Sequence, residues 1–325
     1  MGLGFMGATH LAAFSKVPGV EVTGICTQSD RSLAEHLSKA GGNLERPPVN
    51  FDISRIRHWT HWRELVLNPD IDAIDICLPT DLHATVSIAA LTAGKHVLCE
   101  KPMALVTADC DRMLAAAQEQ RRVLMIGHVL RFWPEYSVLS EFVTARRHGA
   151  ILSARFERTC GLPDWSSWLP LEARSGGPIV DLLIHDIDQA LKLFGMPERV
   201  AAAQSPDGDA LTATLDYSHG LRVQIEGGWL LHGAPFSMGF QVNAERASLE
   251  LVREGLFLSD ETGRRHMQSP EGHAYQAEVA YFVDCCCTGK KPELCPPQQS
   301  AEAVKLAFLL KESRRNGGEP IKCLV

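Results

Sequence analysis

Apolar runs of four to seven residues alternate with helix-like segments from about residue 20 to residue 127. Short buried strands that alternate with helices predict a parallel sheet covered by helices. Only residues 41–58 lack a clear period, and they predict a surface loop to which no function is assigned. Because open parallel sheets bind ligands beyond the carboxyl ends of their strands, the residues that follow each run are the first candidates for a functional site. The four runs are 20–26, 73–78, 96–99 and 123–126.

The pattern changes after about residue 128. Several β-rich runs follow one another with short turns between them, which predicts an antiparallel sheet with a few flanking helices. We therefore predict an α/β domain over residues 1–127 and an α+β domain over residues 128–325, with the closing helices packing back on the first domain. The predicted strands of the second domain are 151–158, 210–217, 221–229, 238–242 and 247–252, and its helices are 132–147, 178–194, 274–287 and 298–314.

Composition and charge narrow the range of partners. The net charge is −7 and the chain has no long block of Lys and Arg, which argues against a nucleic-acid-binding surface. No apolar run approaches the roughly 18 residues that a membrane-spanning helix needs. The amino-terminal segment lacks the charged and apolar regions of a secretion signal. We expect a cytoplasmic protein whose partners are small molecules, with no nucleic acid and no membrane.

The ten cysteines do not indicate a metal site. Cys285, Cys286 and Cys287 are consecutive, and successive residues of a helix point about 100° apart, so three thiolates in a row cannot converge on one ion. Other cysteines lie near the ends of strand-like runs without paired spacing. We expect buried thiols and no bound metal.

A glycine motif opens the chain, with the sequence Gly-Leu-Gly-Phe-Met-Gly over residues 2–7. In such a G-x-G-x-x-G motif, one glycine makes a tight turn, one admits a pyrophosphate and one lets helix and strand approach closely. The motif predicts a dinucleotide-binding turn. Taken without its context, it is equally consistent with a glycine-rich turn that binds nothing.

Only Met1 precedes this motif, so the strand that should lead into it is absent from the sequence. In the predicted sheet this strand lies centrally, and its loss would remove hydrogen-bonding partners from two neighbours, at a cost comparable to the whole stability of a domain. We expect the true start to lie upstream. A protein expressed from Met1 is then expected to bind its cofactor poorly, and one extended upstream to bind it well.

Lys101 follows the run 96–99 within the sequence Glu100-Lys101-Pro102, which places it at the carboxyl end of a predicted strand. A lysine at that edge can hydrogen-bond a substrate oxygen, but a surface lysine in a loop is the simpler alternative. Because proline restricts the residue before it to extended geometry, Pro102 helps to fix where the Lys101 side chain points. This favours the functional interpretation.

A second candidate segment, residues 175–188, belongs to a helix that Gly195 is predicted to end. At about 100° per residue, Asp181, His185 and Asp188 share a stripe about 60° wide. A carboxylate four residues from an imidazole can hold its tautomer and favour its charged form. The alternative is an ordinary amphipathic helix that turns this polar stripe to water.

Three segments, GLGFMG, CEKPMA and GGPIVDLLIHDID, together resemble the glucose–fructose oxidoreductase, inositol dehydrogenase and MocA-like family of nicotinamide-dependent enzymes in their order and spacing. The resemblance extends over essentially the whole chain. It implies a Rossmann domain, a second domain with an open-faced antiparallel sheet, and a site between them. By the resemblance, Lys101 matches the active-site lysine of the family, Asp181 its substrate-positioning acid and His185 its proton-transfer histidine.

The reaction implied by the resemblance is reversible hydride transfer between nicotinamide and a secondary alcohol of a sugar or polyol. A base must then take the hydroxyl proton, and an imidazole suits this role because its unperturbed pKa is about 6.5. The alternatives are a glycosidase that uses a held NAD for transient oxidation, and a non-catalytic nicotinamide-binding regulator. The joint presence of Lys101, Asp181 and His185 speaks against the regulator. We also expect a homo-oligomer formed through the sheet of the second domain.

The cofactor is expected to be NAD or NADP. Many NAD-preferring members of the family carry an acid directly after the second strand, where this chain has no carboxylate. Because Ser29 and Arg31 can accept a 2′-phosphate, the sequence favours NADP slightly. The residues expected to bind the cofactor are Gly2, Gly4, Phe5, Met6, Gly7, Thr27, Ser29, Arg31, Pro79, His83, Glu100 and Lys101.

Substrate-binding candidates come from both predicted domains. His128 and Arg131 follow the run 123–126, and Trp165 lies in a loop where an indole can stack on a sugar ring. A lone Arg or Trp is also common in salt bridges and in packing, so a structural role is the alternative for each. With Asp181 and His185, these residues complete the predicted substrate site.

Overall fold

The computed structural model describes residues 1–42, 53–205, 210–230 and 233–323. The chain divides into two compact units. The first unit comprises Met1–Val129, Trp165–Ser175 and His273–Ala301, and the second comprises Leu130–Asp164, Gly176–Gly272 and Glu302–Val325. The division after residue 129 lies close to the predicted boundary at residue 127, and two later segments join the first unit.

The elements are numbered in chain order. The helices are α1 (Phe5–Phe14), α2 (Leu33–Lys39), α3 (Trp62–Leu67), α4 (His83–Thr92), α5 (Thr107–Gln120), α6 (Pro134–Thr144), α7 (Glu172–Ser175), α8 (Pro178–Asp181), α9 (Ile184–Phe194), α10 (Ala274–Thr288) and α11 (Pro297–Arg315). The strands are β1 (Gly24–Cys26), β2 (Arg57–Trp59), β3 (Ala73–Ile76), β4 (His96–Glu100), β5 (Leu124–Gly127), β6 (Ile151–Gly161), β7 (Arg199–Gln204), β8 (Leu211–Asp216), β9 (Arg222–Leu230), β10 (Ser237–Ala244), β11 (Ala247–Val252), β12 (Gly255–Asp260), β13 (Gly263–Met267) and β14 (Ile321–Lys322). None of the described helices combines the length and the apolar sequence that crossing a bilayer requires.

The first unit is built on parallel strands, as the alternation of strands and helices predicts. Strand β1 pairs with β2, and β3, β4 and β5 form a second sheet in that order. Strands β4 and β5 are buried almost throughout, which explains their continuous apolar sequence. Leu3, Leu11 and Ile25 pack in one core cluster and tie α1 to β1. The predicted α/β class is confirmed for this unit.

Met1 and Gly2 lie between these two sheets. The backbone N–H of Gly2 donates to the carbonyl of Cys26 (2.9 Å), and the N–H of Cys77 donates to the carbonyl of Met1 (2.8 Å). The Met1 ammonium also donates to the carbonyl of Asp75. These bonds hold the carboxyl ends of β1 and β3 on either side of the glycine turn.

The second unit contains a nine-stranded sheet in the order β13-β12-β11-β10-β6-β9-β8-β7-β14. Neighbouring strands are antiparallel, except that β6 and β9 are parallel. Along β6, Ala154 and Phe156 are buried whereas Arg155 and Glu157 are exposed, so one face of the strand is covered and the other is open. Helices α6, α8 and α9 contact strands of this sheet. The predicted α+β class is confirmed for this unit.

The single helix predicted over residues 178–194 is wrong, because the structure divides it into α8 and α9. The carbonyl of Pro178 accepts both the N–H of Leu182 (3.0 Å) and the N–H of Leu183 (2.9 Å), which widens the turn between the two helices. A widened turn changes the angle between residues on its two sides, so a spacing of about 100° per residue does not hold across it. Gly195, with a φ of 76°, ends α9 as predicted.

Several strands of the structure are not predicted from the sequence. Strand β2 begins inside the segment predicted to be a loop, residues 41–58, and ends one residue beyond it; residues 43–52 of this segment lie outside the described residues. Strands β7, β12, β13 and β14 are also absent from the prediction. Strand β2 has three residues and β13 is largely exposed, so neither carries the alternation of apolar and polar residues that marks a half-buried strand.

Candidate active site

The three motif glycines shape the turn before α1. Gly2 has a φ of 80°, and a Cβ there would lie 2.3 Å from the carbonyl oxygen of Cys77. A Cβ on Gly7 would lie 2.2 Å from the carbonyl oxygen of Gly2, whereas a Cβ on Gly4 would meet no atom within 4 Å. Backbone packing therefore requires glycine at positions 2 and 7, while Gly4 borders open space. This is the arrangement of a turn that admits a pyrophosphate.

The amino terminus of α1 is suited to an anionic ligand. Gly4 is its N-cap without a side-chain hydrogen bond, and the first turn contains no acidic residue. The first N–H groups of a helix have no intrahelical acceptor, and the helix dipole favours negative charge there. Phe5 and Met6 are half-buried, and the ring of Phe5 packs against Gly42. The turn thus fits the pyrophosphate of a dinucleotide through its backbone.

Gly4→Val is expected to weaken NADH binding by about tenfold or more, which corresponds to about 1.4 kcal/mol, because the valine side chain enters the space beside α1. The melting temperature is expected to fall less than in Gly7→Ala, because a Cβ at position 4 meets no protein atom within 4 Å. Gly7→Ala is the contrasting variant, since its Cβ would press on the carbonyl of Gly2 and lower the melting temperature. Nucleotide titration and thermal melting measure both effects. Equal NADH affinity in Gly4→Val and wild type would show that the pyrophosphate does not bind at this turn.

The loop after β1, where the ribose was expected, is polar and contacts two histidines. The hydroxyl of Thr27 lies 2.9 Å from the carbonyl of Ser29 and 2.7 Å from Nε2 of His58. The hydroxyl of Ser29 lies 3.1 Å from Nε2 of His36. Burial, followed by His58 and Arg31, lowers the pKa of His36 below its ordinary value. Both hydroxyls therefore have partners within the protein, while the side chain of Arg31 is exposed.

Predicted residues of the first unit share one edge of the parallel sheet. Pro79 follows β3, Lys101 follows β4 and His128 follows β5, and the carboxyl ends of parallel strands lie at the same edge. The close approach of Gly2 to the carbonyl of Cys77 places the glycine turn at this edge too. The predicted cofactor turn and the predicted catalytic lysine thus belong to one side of the first unit.

His83 links the segments that follow β3 and β4. Its Nδ1 lies 2.8 Å from the carbonyl oxygen of Pro102, and its Nε2 lies 2.8 Å from that of Leu78. Burial is the largest influence on the pKa of His83 and lowers it, despite these two contacts. The ring is buried between two backbone carbonyls, so it supports the segment that carries Lys101, whose own side chain is half-buried. The peptide bond between Lys101 and Pro102 is cis.

Two predicted substrate residues of the first unit differ in exposure. Trp165 is 39% exposed and lies beside Gly41, so it presents an aromatic surface. His128 is only 1% exposed, and its backbone N–H donates to the carbonyl of Ile126 (2.8 Å). An indole at the surface can stack on a ligand, whereas the imidazole of His128 is enclosed by the protein.

Two buried ion pairs hold α9 in the second unit. Arg131 donates to Asp188 through Nε (2.9 Å) and Nη2 (2.7 Å), and Arg158 donates to Asp186 through Nε (2.7 Å) and Nη2 (3.0 Å). All four side chains are buried. Burial, the largest influence, acts to lower the pKa of Arg158, but the Asp186 carboxylate more than offsets it and raises the pKa. Breaking such a pair by removing one partner typically costs about 3–5 kcal/mol of stability.

The predicted stripe of Asp181, His185 and Asp188 does not turn to water as a whole. Asp181 ends α8 and His185 lies in the first turn of α9, and both are half-buried. Asp188 is fully buried on the guanidinium of Arg131. Arg131 is predicted to bind substrate, with a structural salt bridge as the alternative. The structure contains this salt bridge.

A buried polar cluster in the first unit contains residues that the sequence does not single out. It consists of His10 on α1, Asp75 on β3, Cys77 after β3, Glu100 on β4 and Glu278 on α10. The signal available in the sequence is a histidine that follows the glycine motif by three residues and precedes the apolar residues 11–14; the structure buries residues 7–13 of α1. Its partners come from remote segments, so the sequence contains no pattern that joins them.

Comparison with known proteins places the chain in a class and a family. A family model described as the oxidoreductase family with an NAD-binding Rossmann fold matches residues 1–128, which contain the glycine turn and the parallel strands β1 to β5. A model described as the GFO/IDH/MocA C-terminal domain matches residues 136–250. The class is therefore that of Rossmann-fold, NAD-binding oxidoreductases. Within this class the chain belongs to the GFO/IDH/MocA family, which confirms the resemblance seen in its motifs.

Relatives with named activities include dehydrogenases of sugars and of inositol. The chain is 26% identical over 315 residues to levoglucosan dehydrogenase of Pseudarthrobacter phenanthrenivorans, covering 82% of this chain and 77% of the relative. It is 27% identical over 217 residues to inositol 2-dehydrogenase of Salmonella typhimurium, covering 66% of this chain and 59% of that relative. A solved structure of levoglucosan dehydrogenase with NADH and levoglucosan has a TM-score of 0.83 at 20% identity, covering 99% of this chain and 97% of that chain. This last likeness shows the shared fold.

Proposed function

We propose that this protein is an NAD(P)-dependent dehydrogenase or reductase that transfers a hydride between nicotinamide and a secondary alcohol carbon of a sugar or polyol. The observation that carries the proposal is the edge of the first unit at which the glycine turn lies with the carboxyl ends of β3 and β4, and Lys101 directly follows β4. Membership in a family of oxidoreductases, and similarity to levoglucosan and inositol dehydrogenases, support the substrate class.

Each predicted catalytic side chain has one role in this proposal. The nicotinamide, when bound, supplies the chemistry of hydride transfer. Lys101 donates a hydrogen bond to the reacting oxygen and stabilises negative charge that develops there in the transition state. His185 accepts the hydroxyl proton during oxidation and returns it during reduction. Asp181 orients the substrate, and the two buried ion pairs hold the helix that carries His185.

For the cofactor, we propose that the protein uses NAD and also accepts NADP. The description of the family and the structure of a relative with NADH support NAD. Acceptance of NADP rests on the loop after β1. Its first three residues, 27–29, carry no carboxylate, and the exposed side chain of Arg31 lies near His36. The lean of the sequence towards NADP over NAD gains no support from the relatives.

Arg31→Ala is expected to lower kcat/KM for NADP by about tenfold, because the guanidinium no longer meets the 2′-phosphate, and to leave the value for NAD unchanged. Steady-state kinetics with each nucleotide measures the ratio. Lys39→Ala, at an exposed lysine near the end of α2, is the control for a general loss of positive charge. Equal losses with NAD and NADP, or a wild-type protein that does not use NADP, would contradict this part of the proposal.

The function as a whole is tested by following nicotinamide absorbance over a panel of inositols, aldoses, keto-sugars and anhydro sugars with both cofactors. A substrate-dependent change in absorbance that matches product formation is the expected result. Cleavage of a glycoside without net change in nicotinamide would support the glycosidase instead. Tight nucleotide binding with no turnover of any substrate would support the regulator.

The remaining expectations about partners stay predictions. A homo-oligomer would use the open face of the nine-stranded sheet, which carries exposed or half-buried polar residues such as Arg155, Gln224 and Gln241. Light scattering on the purified protein measures the number of chains. The cytoplasmic location and the absence of a nucleic-acid partner are likewise predictions from the sequence.

A further inference from the structure

The buried cluster is joined to Lys101 through a single carboxylate. Nδ1 of His10 makes a hydrogen bond of 3.0 Å with Oδ1 of Asp75, and Nε2 of His10 makes an ion-pair contact of 3.0 Å with Oε1 of Glu100 that lacks hydrogen-bond alignment. The second oxygen of Glu100, Oε2, accepts the backbone N–H of Lys101 at 3.1 Å. His10 is 0% exposed and Glu100 5% exposed, so water has little access to the contact between them. Glu100 therefore connects the imidazole to the peptide from which the Lys101 side chain projects.

Because both groups that face the ring of His10 are carboxylates, their charge favours a doubly protonated imidazole. A neutral imidazole has one N–H, so its other nitrogen would turn a lone pair towards a carboxylate oxygen at 3.0 Å. An imidazolium presents an N–H on both sides. Burial, the largest influence, acts to lower the pKa of His10, but the contacts with Cys77 and Asp75 more than offset it, and the pKa is raised well above its ordinary value.

The other groups that face His10 leave it as the positive partner of two carboxylates. Oε2 of Glu278, on α10, lies 3.9 Å from Nε2 of His10, and neither Glu278 oxygen has a hydrogen bond to another described residue. Burial, with the nearby carboxylates, raises the pKa of Glu278 well above its ordinary value against the effect of His10, which favours the neutral acid. Burial and Asp75 raise the pKa of Cys77 to about 12, so it is a thiol.

We propose that His10 and Glu100 are positioning residues for Lys101. The imidazolium holds the Glu100 carboxylate, the carboxylate holds the Lys101 peptide, and the ammonium group is thereby kept at one position beyond β4. This inference rests on the proposed function, in which Lys101 contacts the reacting oxygen. The position of the ammonium group affects the rate strongly, because a misplacement of a catalytic group by about 1 Å can reduce the rate by about 10²-fold.

His10→Gln removes the positive charge with little change in volume and is expected to lower kcat by roughly 10- to 100-fold, with KM and the Kd of NADH little changed. Glu100→Ala is expected to have the same effect. Glu100→Gln keeps an oxygen that can accept the Lys101 N–H, so it is expected to recover part of the loss. A Glu100→Gln variant no better than Glu100→Ala would contradict the role of this hydrogen bond.

Glu278→Gln is the matched control inside the cluster. It replaces a neutral acid with a neutral amide of the same shape, so kcat is expected to equal that of the wild type. If Glu278→Gln loses as much kcat as His10→Gln, the assignment of charges in the cluster is wrong and the proposal fails with it.

The decisive comparison uses Lys101→Met as the background. If His10 acts through Lys101, adding His10→Gln to Lys101→Met lowers kcat no further. An equal loss in both backgrounds overturns the positioning role and leaves the role of Lys101 intact. A Lys101→Met protein with wild-type turnover removes Lys101 from the mechanism and overturns this proposal with it. A wild-type protein without substrate-dependent turnover of nicotinamide overturns the proposed function itself, so the two failures are distinguishable.

Gly127→Ala tests the contact between His10 and Glu100 without removing a charge. It provides a second variant if His10→Gln does not fold. A Cβ on Gly127 would lie 3.1 Å from Oε1 of Glu100 and would displace this carboxylate. A smaller loss of kcat at unchanged NADH affinity is expected, and an unchanged kcat would count against the proposal.

Nitrogen NMR of the histidine rings gives a readout that is independent of activity. Both ring nitrogens of His10 are expected to be protonated throughout the neutral pH range. A singly protonated ring contradicts the proposal. A divalent metal ion retained at Nε2 through purification with a chelator also contradicts it, because a metal ligand needs the lone pair of that nitrogen.

Discussion

Replacing Lys101 with methionine is expected to lower kcat/KM for the sugar or polyol by roughly 10²–10⁴, about 3–5 kcal/mol of transition-state stabilisation. Methionine keeps an unbranched chain of similar length but has no N–H to donate to the oxygen on which negative charge develops. The Kd of NADH is expected to change little, because the glycine turn binds the pyrophosphate through its backbone. Steady-state kinetics and nucleotide titration measure the two quantities.

Two further lysine variants separate a specific effect from a general one. Lys290→Met removes an exposed lysine between α10 and α11 and is expected to behave as wild type. Lys101→Arg keeps the positive charge on a bulkier, planar group and is expected to restore only part of the rate. Wild-type kcat/KM in Lys101→Met would remove this lysine from the mechanism.

His185→Asn is expected to lower kcat/KM in the oxidative direction by a similar factor, roughly 10²–10⁴. The more specific test of His185 as the base is the dependence of activity on pH. In the wild type, activity is expected to fall as the pH drops and the base becomes protonated, and this acid limb is expected to disappear in the variant, because asparagine accepts no proton in this range. Initial rates across the pH range, with both substrates saturating and then limiting, measure the effect.

His219→Asn, at an exposed histidine in the turn between β8 and β9, is the matched control for His185→Asn. The His185 variant is expected to fold, because the Arg131–Asp188 and Arg158–Asp186 pairs that hold α9 are left intact. Circular dichroism checks this. If the variant keeps the wild-type acid limb, another group titrates in that limb and His185 is not the base.

Much of the fold could be predicted because its elements carry local patterns. The runs 73–78, 96–99 and 123–126 correspond to β3, β4 and β5 within about two residues at each end, since a strand buried on both faces reads as a continuous apolar run. The strands β8, β9, β10 and β11 were predictable for a different reason. One face of their sheet is open, so apolar and polar residues alternate along them.

The parts of the site that could not be predicted depend on contacts between remote segments. The helical period predicts that Asp188 shares a polar stripe with Asp181 and His185. In the structure, Asp188 is buried on its partner Arg131, which lies 57 residues away in the chain. His10 was not singled out at all, because the Asp75 carboxylate that it contacts lies 65 residues away. The widened turn at Leu182 and Leu183 also escaped prediction, since the helical period assumes regular geometry.

By itself, the sequence determined many of the helices and strands, where the glycine turn lies, and that Lys101 follows a strand, because these properties depend on residues adjacent in the chain. Only the tertiary structure decided that Gly4 borders open space, that two arginines bury their charges against α9, and that His10 lies between Asp75 and Glu100. The physical reason is that steric fit and the energy of a buried charge depend on distances in space. Those distances exist only once the separate segments have packed together.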